Sequence, residues 1–279
     1  MSKYKLSWDQ KKYESYLKEG RGSGIGKDYK PWITIHDFPS KGVSSRTPGW
    51  KSNRVHHFLS QNELRYFFLL EWANDVIDIR EQFPQLDLDD AMQIAEESNI
   101  KYPVDNKSKT PYILTSDFMI TVNRDGKEIH LVRTVKPSDN LENSKVIEKF
   151  EIERKYWKKR NIDWGIVTES EIPKNFALNV EWVHSSYNLE PMKEVGITQL
   201  FEIGELLKER LSKNESTITR ITTLLDREIN VASGTSLYVF KHLVARKEII
   251  LDMNQMIDIN TSTDAIHEII KNNGKVMAL

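Results

Sequence analysis

The sequence predicts a mixed α/β domain over residues 1–170 and a mainly α-helical domain over residues 171–279. Three observations carry that reading. The run 112–122 is rich in β-branched and aromatic residues, the turn pair Asp125-Gly126 follows, and a second such run, 129–136, stops at Pro137; together they make a hairpin. An amphipathic helical pattern at 143–160 and a further β-like run at 161–168 then return the chain to the sheet beside the second hairpin strand. Beyond Pro173 and Pro191, which loosen the chain, helical patterns follow one another at 196–213, 216–230 and 235–246.

Length and composition bound the function. A chain of 279 residues is comfortable for two hydrophobic cores. A formal net charge of −1 excludes the globally basic character of a histone-like protein, so any DNA contact must come from local patches. The absence of cysteine excludes disulfides, thiolate metal sites and cysteine nucleophiles, and agrees with a reducing cytoplasm. No apolar run approaches the roughly 18 residues of a membrane span, and the charged start Met1-Ser2-Lys3-Tyr4-Lys5 lacks the apolar stretch of a signal peptide. A cytoplasmic protein without membrane contact is expected.

Residues 8–18 have helical character, which the glycines of 20–27 break. Those glycines suggest a phosphate-binding loop, but no Gly stands five residues before Gly26, Asp28 replaces the required Ser or Thr, and no apolar strand precedes the run. Between Gly20 and Ser60 the bases Arg21, Lys27, Lys30, Lys41, Arg46, Lys51 and Arg54 outnumber the acids, with Trp32 and Trp50 among them. The stretch is either a flexible basic arm along a phosphate backbone or a solvated loop pinned by two aromatics. Adjacent His56 and His57 cannot both face one metal, and no third nearby His completes a zinc spacing, so packing or phosphate contact is their expected role.

Ser60 is a good N-cap with Glu63 three residues on, and a helix continues from there through Trp72. Glu63 therefore has a capping explanation. It also shares a face with Phe67 and Leu70, which sets a carboxylate on the apolar stripe, where it needs a partner such as a metal. Glu71, on the neighbouring stripe, is the reserve candidate. The run 76–84 alternates like an edge strand ended by Pro84, and its Arg80, Glu81 and Gln82 either support a site, face DNA or form surface pairs. A helix at 87–98 and a polar loop at 101–110 follow. In the helix at 143–160, Val146, Ile147, Phe150, Tyr156 and Trp157 form the apolar side, and the basic C-terminal end suits the helix dipole or DNA phosphates. In the second domain the three helical stretches precede a hairpin at 248–259, a pattern that resembles a winged helix. Its third helix offers only Lys241, His242 and Arg246 to bases, and Asp252 and Asp258 sit on the wing, so protein docking and DNA reading both stay open.

The chemistry gathers at the end of the first hairpin. Asp117 lies in its first strand and Thr134-Val135-Lys136 closes its second. Strand side chains alternate, so Thr134 and Lys136 point the same way and Lys136 is aimed where Asp117 could be aimed. A carboxylate and an ammonium converging there suit metal-assisted phosphodiester hydrolysis: the carboxylate holds Mg²⁺, and the lysine orients or deprotonates water and offsets charge on the phosphate. No Gly-x-Ser-x-Gly elbow supports seryl catalysis.

An Asp on one strand and x-x-Lys on the next resemble the restriction-endonuclease-like PD-(D/E)xK core, whose motif is too short to be specific on its own. More of the chain matches a single family. The stretch Arg54-Val55-His56-His57-Phe58-Leu59-Ser60-Gln61-Asn62-Glu63-Leu64, then Leu70-Glu71-Trp72, Asp78-Ile79-Arg80-Glu81-Gln82-Phe83-Pro84, Ser116-Asp117-Phe118 and Val135-Lys136-Pro137 resemble TnsA in order and spacing, over roughly residues 10–185. TnsA is the endonuclease subunit of heteromeric bacterial cut-and-paste transposases. The resemblance implies a restriction-endonuclease-like core with Glu63, Asp117 and Lys136 as the acidic, acidic and basic members of the active site, and Mg²⁺, with Mn²⁺ as substitute, as cofactor. Its implied partners are double-stranded transposon-end DNA, a TnsB-like recombinase for the 3′ ends, a TnsC-like ATPase contacted by the C-terminal domain and, indirectly, a TniQ-type target selector. One position departs from the pattern. Two before the lysine, where Glu, Asp or Gln is usual, stands Thr134, a weaker neutral ligand. The backbone carbonyl of Val135 still offers an oxygen, so the expected ligand set is Glu63, Asp117, Val135 and Thr134. A stand-alone restriction or repair nuclease, and an adaptor whose site has decayed at Thr134, are the rival readings.

Overall fold

The computed structural model describes residues 8–37, 44–213 and 216–270; Lys41 of the expected basic arm lies outside them. The chain divides into two units, Met1–Ile172 and Pro173–Leu279. In the first, α1 (Gln10–Lys18) starts at Asp9, whose carboxylate caps Lys12 N–H, and ends before Gly20, whose φ of +74° suits glycine. An antiparallel pair, β1 (Ser45–Pro48) and β2 (Val55–Phe58), leads into α2 (Gln61–Trp72), capped by Ser60. There follow β3 (Val76–Pro84), α3 (Leu88–Glu97), β4 (Thr115–Arg124), β5 (Lys127–Val135), α4 (Ser144–Lys159) and β6 (Asp163–Val167).

One sheet runs β3-β4-β5-β6, antiparallel from β3 to β5, with β6 parallel to β5. The parallel pair needs a crossover, which α4 supplies. β3 is one of the two edge strands, a place where its closing Pro84 is tolerated. On the α2 side Phe58 packs against Phe67 and Phe118, with ring centres 4.7 and 6.1 Å apart, and Tyr66 meets Phe118 edge-on. On the other side Met119 and Val132 of the sheet meet Ala91, Ile94, Ile152, Tyr156 and Trp157 from α3 and α4. Each large side chain buried this fully contributes roughly 1.5–3 kcal/mol. The basic end of α4 serves this packing: Lys159 and Arg160 both pair with Asp90, and Arg160 also reaches Asp87 at 3.0 Å.

The stretch after α1 is a pinned loop rather than a free arm. Trp32 is 1% exposed and joins Trp8, Tyr16 and Ile113 in a mainly aromatic hydrophobic cluster. Arg21 pairs with Asp37 and Glu19, Arg54 with Glu81, and Lys51 Nζ donates to the carbonyls of Ala73 and Val76. Lys27 and Arg46 remain exposed. Aromatic burial outweighs the freedom a solvated arm would keep, and it takes several of the bases with it.

The second unit holds α5 (Lys174–His184), α6 (Ile197–Lys213), α7 (Ile218–Glu228), α8 (Thr235–Ala245), β7 (Ile249–Leu251) and β8 (Ile266–Ile269), the two strands antiparallel. α6, α7 and α8 before a two-stranded sheet match the expectation, but α5 occupies part of the stretch expected to be loosened, and the returning strand lies beyond the span 248–259. The reason is local turn chemistry: Asp252 and Asp258 carboxylates accept the N–H groups of Asn254 and Asn260, each at 2.9 Å, and bend the chain away from pairing. On α8, Lys241 lies 4.3 Å from the Trp182 ring centre, Arg246 lies 4.6 Å from that of Tyr187, and His242 Nδ1 donates to the Ser186 and Tyr187 carbonyls. The groups a base reader would need are engaged within the unit. Among the described residues no helix is long and apolar enough to cross a membrane.

Candidate active site

Glu63 sits in the first turn of α2, and the capping and buried-site readings are both true of it. Ser60 Oγ accepts its N–H at 3.2 Å and donates back to Oε1 at 2.8 Å, while Leu59 N–H donates to Oε2 at 3.0 Å. The same Oε2 lies 3.4 Å from Gln82 Nε2, which lies equally far from Asp117 Oδ1. Asp117 Oδ2 accepts the N–H of Val135 at 2.7 Å, which ties β4 to the end of β5. One amide therefore touches both carboxylates.

Strict alternation would not bring Gln82 here. Glu81 faces Arg54 and His56, so its successor should point to the opposite side of the sheet. Gln82 instead has φ of +48° and turns to the same side, after which Phe83 packs against Trp157 of α4. β4 does the same at the matching level, where Glu81 pairs with Phe118 and Phe83 with Ser116. Phe118 meets Tyr66 of α2, Asp117 meets Gln82, and Ser116 accepts from Trp157 Nε1 at 2.8 Å.

Burial and then the neighbouring Asp117 charge push the Glu63 carboxyl up to about 7, with Lys136 acting against them. Burial likewise raises Asp117 above the usual carboxylate range, opposed first by Lys136. Lys136 thus acts electrostatically on both acids. Thr134 has a different place: its hydroxyl, expected as a weak metal ligand, donates to Glu153 of α4. Glu153 is wholly buried, also accepts from Ser116 Oγ at 2.6 Å, and is pushed up to about 7 by burial. Sequence reasoning passed over it, although Phe150, Glu153 and Trp157 follow helical spacing, the same carboxylate-on-an-apolar-stripe signal that singled out Glu63. The reserve candidate Glu71 accepts the N–H groups of Trp50 and Lys51 instead.

A second buried acid stands beside the first group. Glu81 accepts from Arg54 Nη1 at 2.8 Å and from His57 N–H at 3.1 Å, and His56 Nδ1 lies 2.7 Å away; the His56 and Arg54 charges hold its carboxyl far below the usual range despite burial. His56 Nε2 is also 2.6 Å from Ser52 Oγ. This has the spacing of a nucleophilic triad, but Ser52 is 2% exposed and a Cβ on Gly49 would come within 2.5 Å of Ser52 Oγ, so the serine is sealed. The network is a tie between β2 and β3.

Among the described residues no group of three or more His, Asp or Glu side chains is arranged to hold a metal ion. Glu63 and Asp117 remain as a pair of buried hard oxygen donors to which, among the described residues, no basic side chain is bonded, a donor set that fits a hard divalent cation completed by water and backbone oxygen.

Comparison with known proteins adds an independent line. A family profile described as TnsA-like endonuclease N terminal matches residues 73–169, which include Asp117 and Lys136, and one described as TnsA endonuclease C terminal matches residues 171–253. The Transposon Tn7 transposition protein TnsA of Escherichia coli is 37% identical over 245 residues, covering 88% of this chain and 87% of that protein. With both halves matched in order, and a relative similar along nearly the whole length, this chain belongs to the TnsA family of transposition endonucleases.

Proposed function

We propose that this endonuclease cuts the 5′ strands at the two ends of a transposon, with a divalent cation, Mg²⁺ or Mn²⁺ in its place, held by Glu63 and Asp117. The observation that carries the proposal is the pair of buried carboxylates that meet at the Gln82 amide, Glu63 raised by burial and then by the Asp117 charge, Asp117 raised by burial, with the Lys136 charge acting on both. Val135 is the natural source of a third, backbone oxygen; its N–H already holds Asp117 in place. The cation supplies Lewis-acid polarisation of the scissile phosphate and of water. Asp117 is fixed at Oδ2 so that Oδ1 faces the site, Glu63 is fixed by the start of α2, and Lys136 orients the attacking water and offsets charge gathering on the phosphate oxygens. A TnsB-like recombinase then cuts and joins the 3′ ends, a TnsC-like ATPase docks on the C-terminal unit, and a TniQ-type selector acts through that ATPase. Protein docking suits the unit because Lys241, His242 and Arg246 are engaged internally.

The test is Asp117→Ala in a transposition assay with the partner recombinase. The substitution removes no buried apolar surface, so the complex still assembles. Loss of 5′ cutting by at least about a thousandfold is expected, with fused donor and target products in place of simple insertions. Simple insertions at the wild-type rate would refute the assignment. Cutting by the purified chain alone at its own sites would favour a stand-alone nuclease, and absence of any Mn²⁺ binding heat in the wild type would favour a decayed adaptor.

A further inference from the structure

Gln82 is 3% exposed, in an edge strand, at a backbone φ of +48°. A residue other than glycine costs on the order of 1 kcal/mol in that region, so the surrounding structure must hold it there. Two contacts from the loop after α1 do so. Trp32 N–H donates to the Gln82 carbonyl at 3.2 Å, and Tyr29 Oη donates to the carbonyl of Glu81 at 3.0 Å. Trp32 and Tyr29 are themselves buried, so this clamp is part of the core. Its effect is to turn the Gln82 side chain onto the face where Glu63 and Asp117 lie.

The amide is oriented as well as placed. Thr115 Oγ1 donates to Gln82 Oε1 at 3.1 Å, which leaves the amino group and its two protons for Glu63 Oε2 and Asp117 Oδ1, each at 3.4 Å. A neutral donor at this position offsets the repulsion of two buried acids without closing them as an ion pair. Glu81, one residue earlier, shows the alternative: Arg54 closes it, and no acceptor is left for a cation.

We propose that Gln82 is a positioning residue of the nuclease centre, setting the separation of Glu63 and Asp117 before a divalent cation enters, with the segment 29–32 holding the backbone kink that delivers it. The inference rests on the reading of Glu63 and Asp117 as cation ligands. It makes Gln82 responsible for cation affinity rather than for the rate once the cation is bound.

The experiment is Mn²⁺ titration by calorimetry on the full chain as wild type, Asp117→Ala, Gln82→Gly and Gln82→Met, with nicking of transposon-end DNA followed across Mn²⁺ concentrations in the assembled complex. Glycine adopts the positive φ freely, so Gln82→Gly relieves backbone strain, which partly offsets loss of the amide, and should remain folded; methionine keeps the side-chain length and removes the amide. Both variants should bind Mn²⁺ at least about tenfold more weakly, as loss of a group supporting metal ligands does. At saturating Mn²⁺ their nicking rate should return to within a few-fold of wild type. Wild-type affinity in either folded variant overturns the proposal and leaves the Asp117 assignment standing. Unfolding of both variants, which would make Gln82 a purely structural residue, overturns it too. If the wild type binds no Mn²⁺, or Asp117→Ala binds it unchanged, the ligand reading itself fails and this proposal with it.

Discussion

Glu81 and the pair Glu63–Asp117 are buried acids on one side of the same sheet, and the fold treats them oppositely. Around Glu81 stand the Arg54 guanidinium, the His56 ring and a backbone N–H, and the carboxyl is held strongly acidic although no part of it is exposed. Around Glu63 and Asp117 stand hydroxyl, amide and backbone donors, while Lys136 acts on both through its charge and, among the described residues, no basic side chain bonds to either; both carboxyls are raised. Burial is common to the two sites, so burial alone does not mark function. The difference lies in charge balance. A closed cluster ties strands together, whereas an acid pair left short of positive charge keeps the folded protein under electrostatic cost, which on the proposed reading a bound cation would relieve.

The largest effect expected outside catalysis is at the closed cluster. Glu81→Ala leaves Arg54 and His56 buried without their acceptor and should destabilise the chain by about 3–5 kcal/mol in denaturant unfolding. A loss under 1 kcal/mol would erase the contrast between the two sites.

The open pair should show itself through pH. Glu63 has a folded value of about 7 against an ordinary 4.5, so between those values the folded state binds more protons than the unfolded one. Its contribution to stability therefore falls as pH rises from about 4.5 to about 7, the reverse of Glu81, whose depressed value adds stability that is lost only on acidification. In chelator, wild type and Glu63→Gln should differ by on the order of 1–3 kcal/mol more at pH 8 than at pH 4, with the glutamine variant gaining relative stability as pH rises. Saturating Mn²⁺ should shrink that difference. A pH-independent difference would mean that Glu63 is an ordinary cap.

The smallest effect separates Thr134 from the ligands. Its hydroxyl donates to Glu153, so Thr134→Val should cost about 1 kcal/mol of stability and leave Mn²⁺ affinity unchanged. A weakened affinity would return Thr134 to the ligand set.

Much of this was legible in the chain. Periodicity located the hairpin around Asp125-Gly126, the edge strand closed by Pro84, the crossover helix and the strand after it, because each follows from side-chain spacing and turn chemistry within a dozen or so residues. Ser60 and Glu63 marked the start of α2 for the same local reason. The motif order, too, was enough to point to the family. In the second unit α6, α7 and α8 were legible, but α5 falls in the stretch after Pro173 that was read as loosened, and the partner strand was not legible either, since Asp252 and Asp258 spend their carboxylates on local turns and β7 pairs with a strand more than a dozen residues on.

What only the tertiary structure decided depends on contacts between distant segments. Whether the described part of the basic stretch formed an arm or a pinned loop was settled by an apolar cluster that draws on Trp8, Tyr16, Trp32 and Ile113. Thr134 went to Glu153 because α4 brings that acid under the sheet, and Gln82 left the alternation of its strand because Trp32 and Tyr29 hold its backbone at a positive φ. The physical reason is common to all three. Local sequence sets which way a regular element directs its side chains, but the partner of a buried polar group is chosen by whichever distant segment can satisfy it, and that choice exists only once the chain has folded.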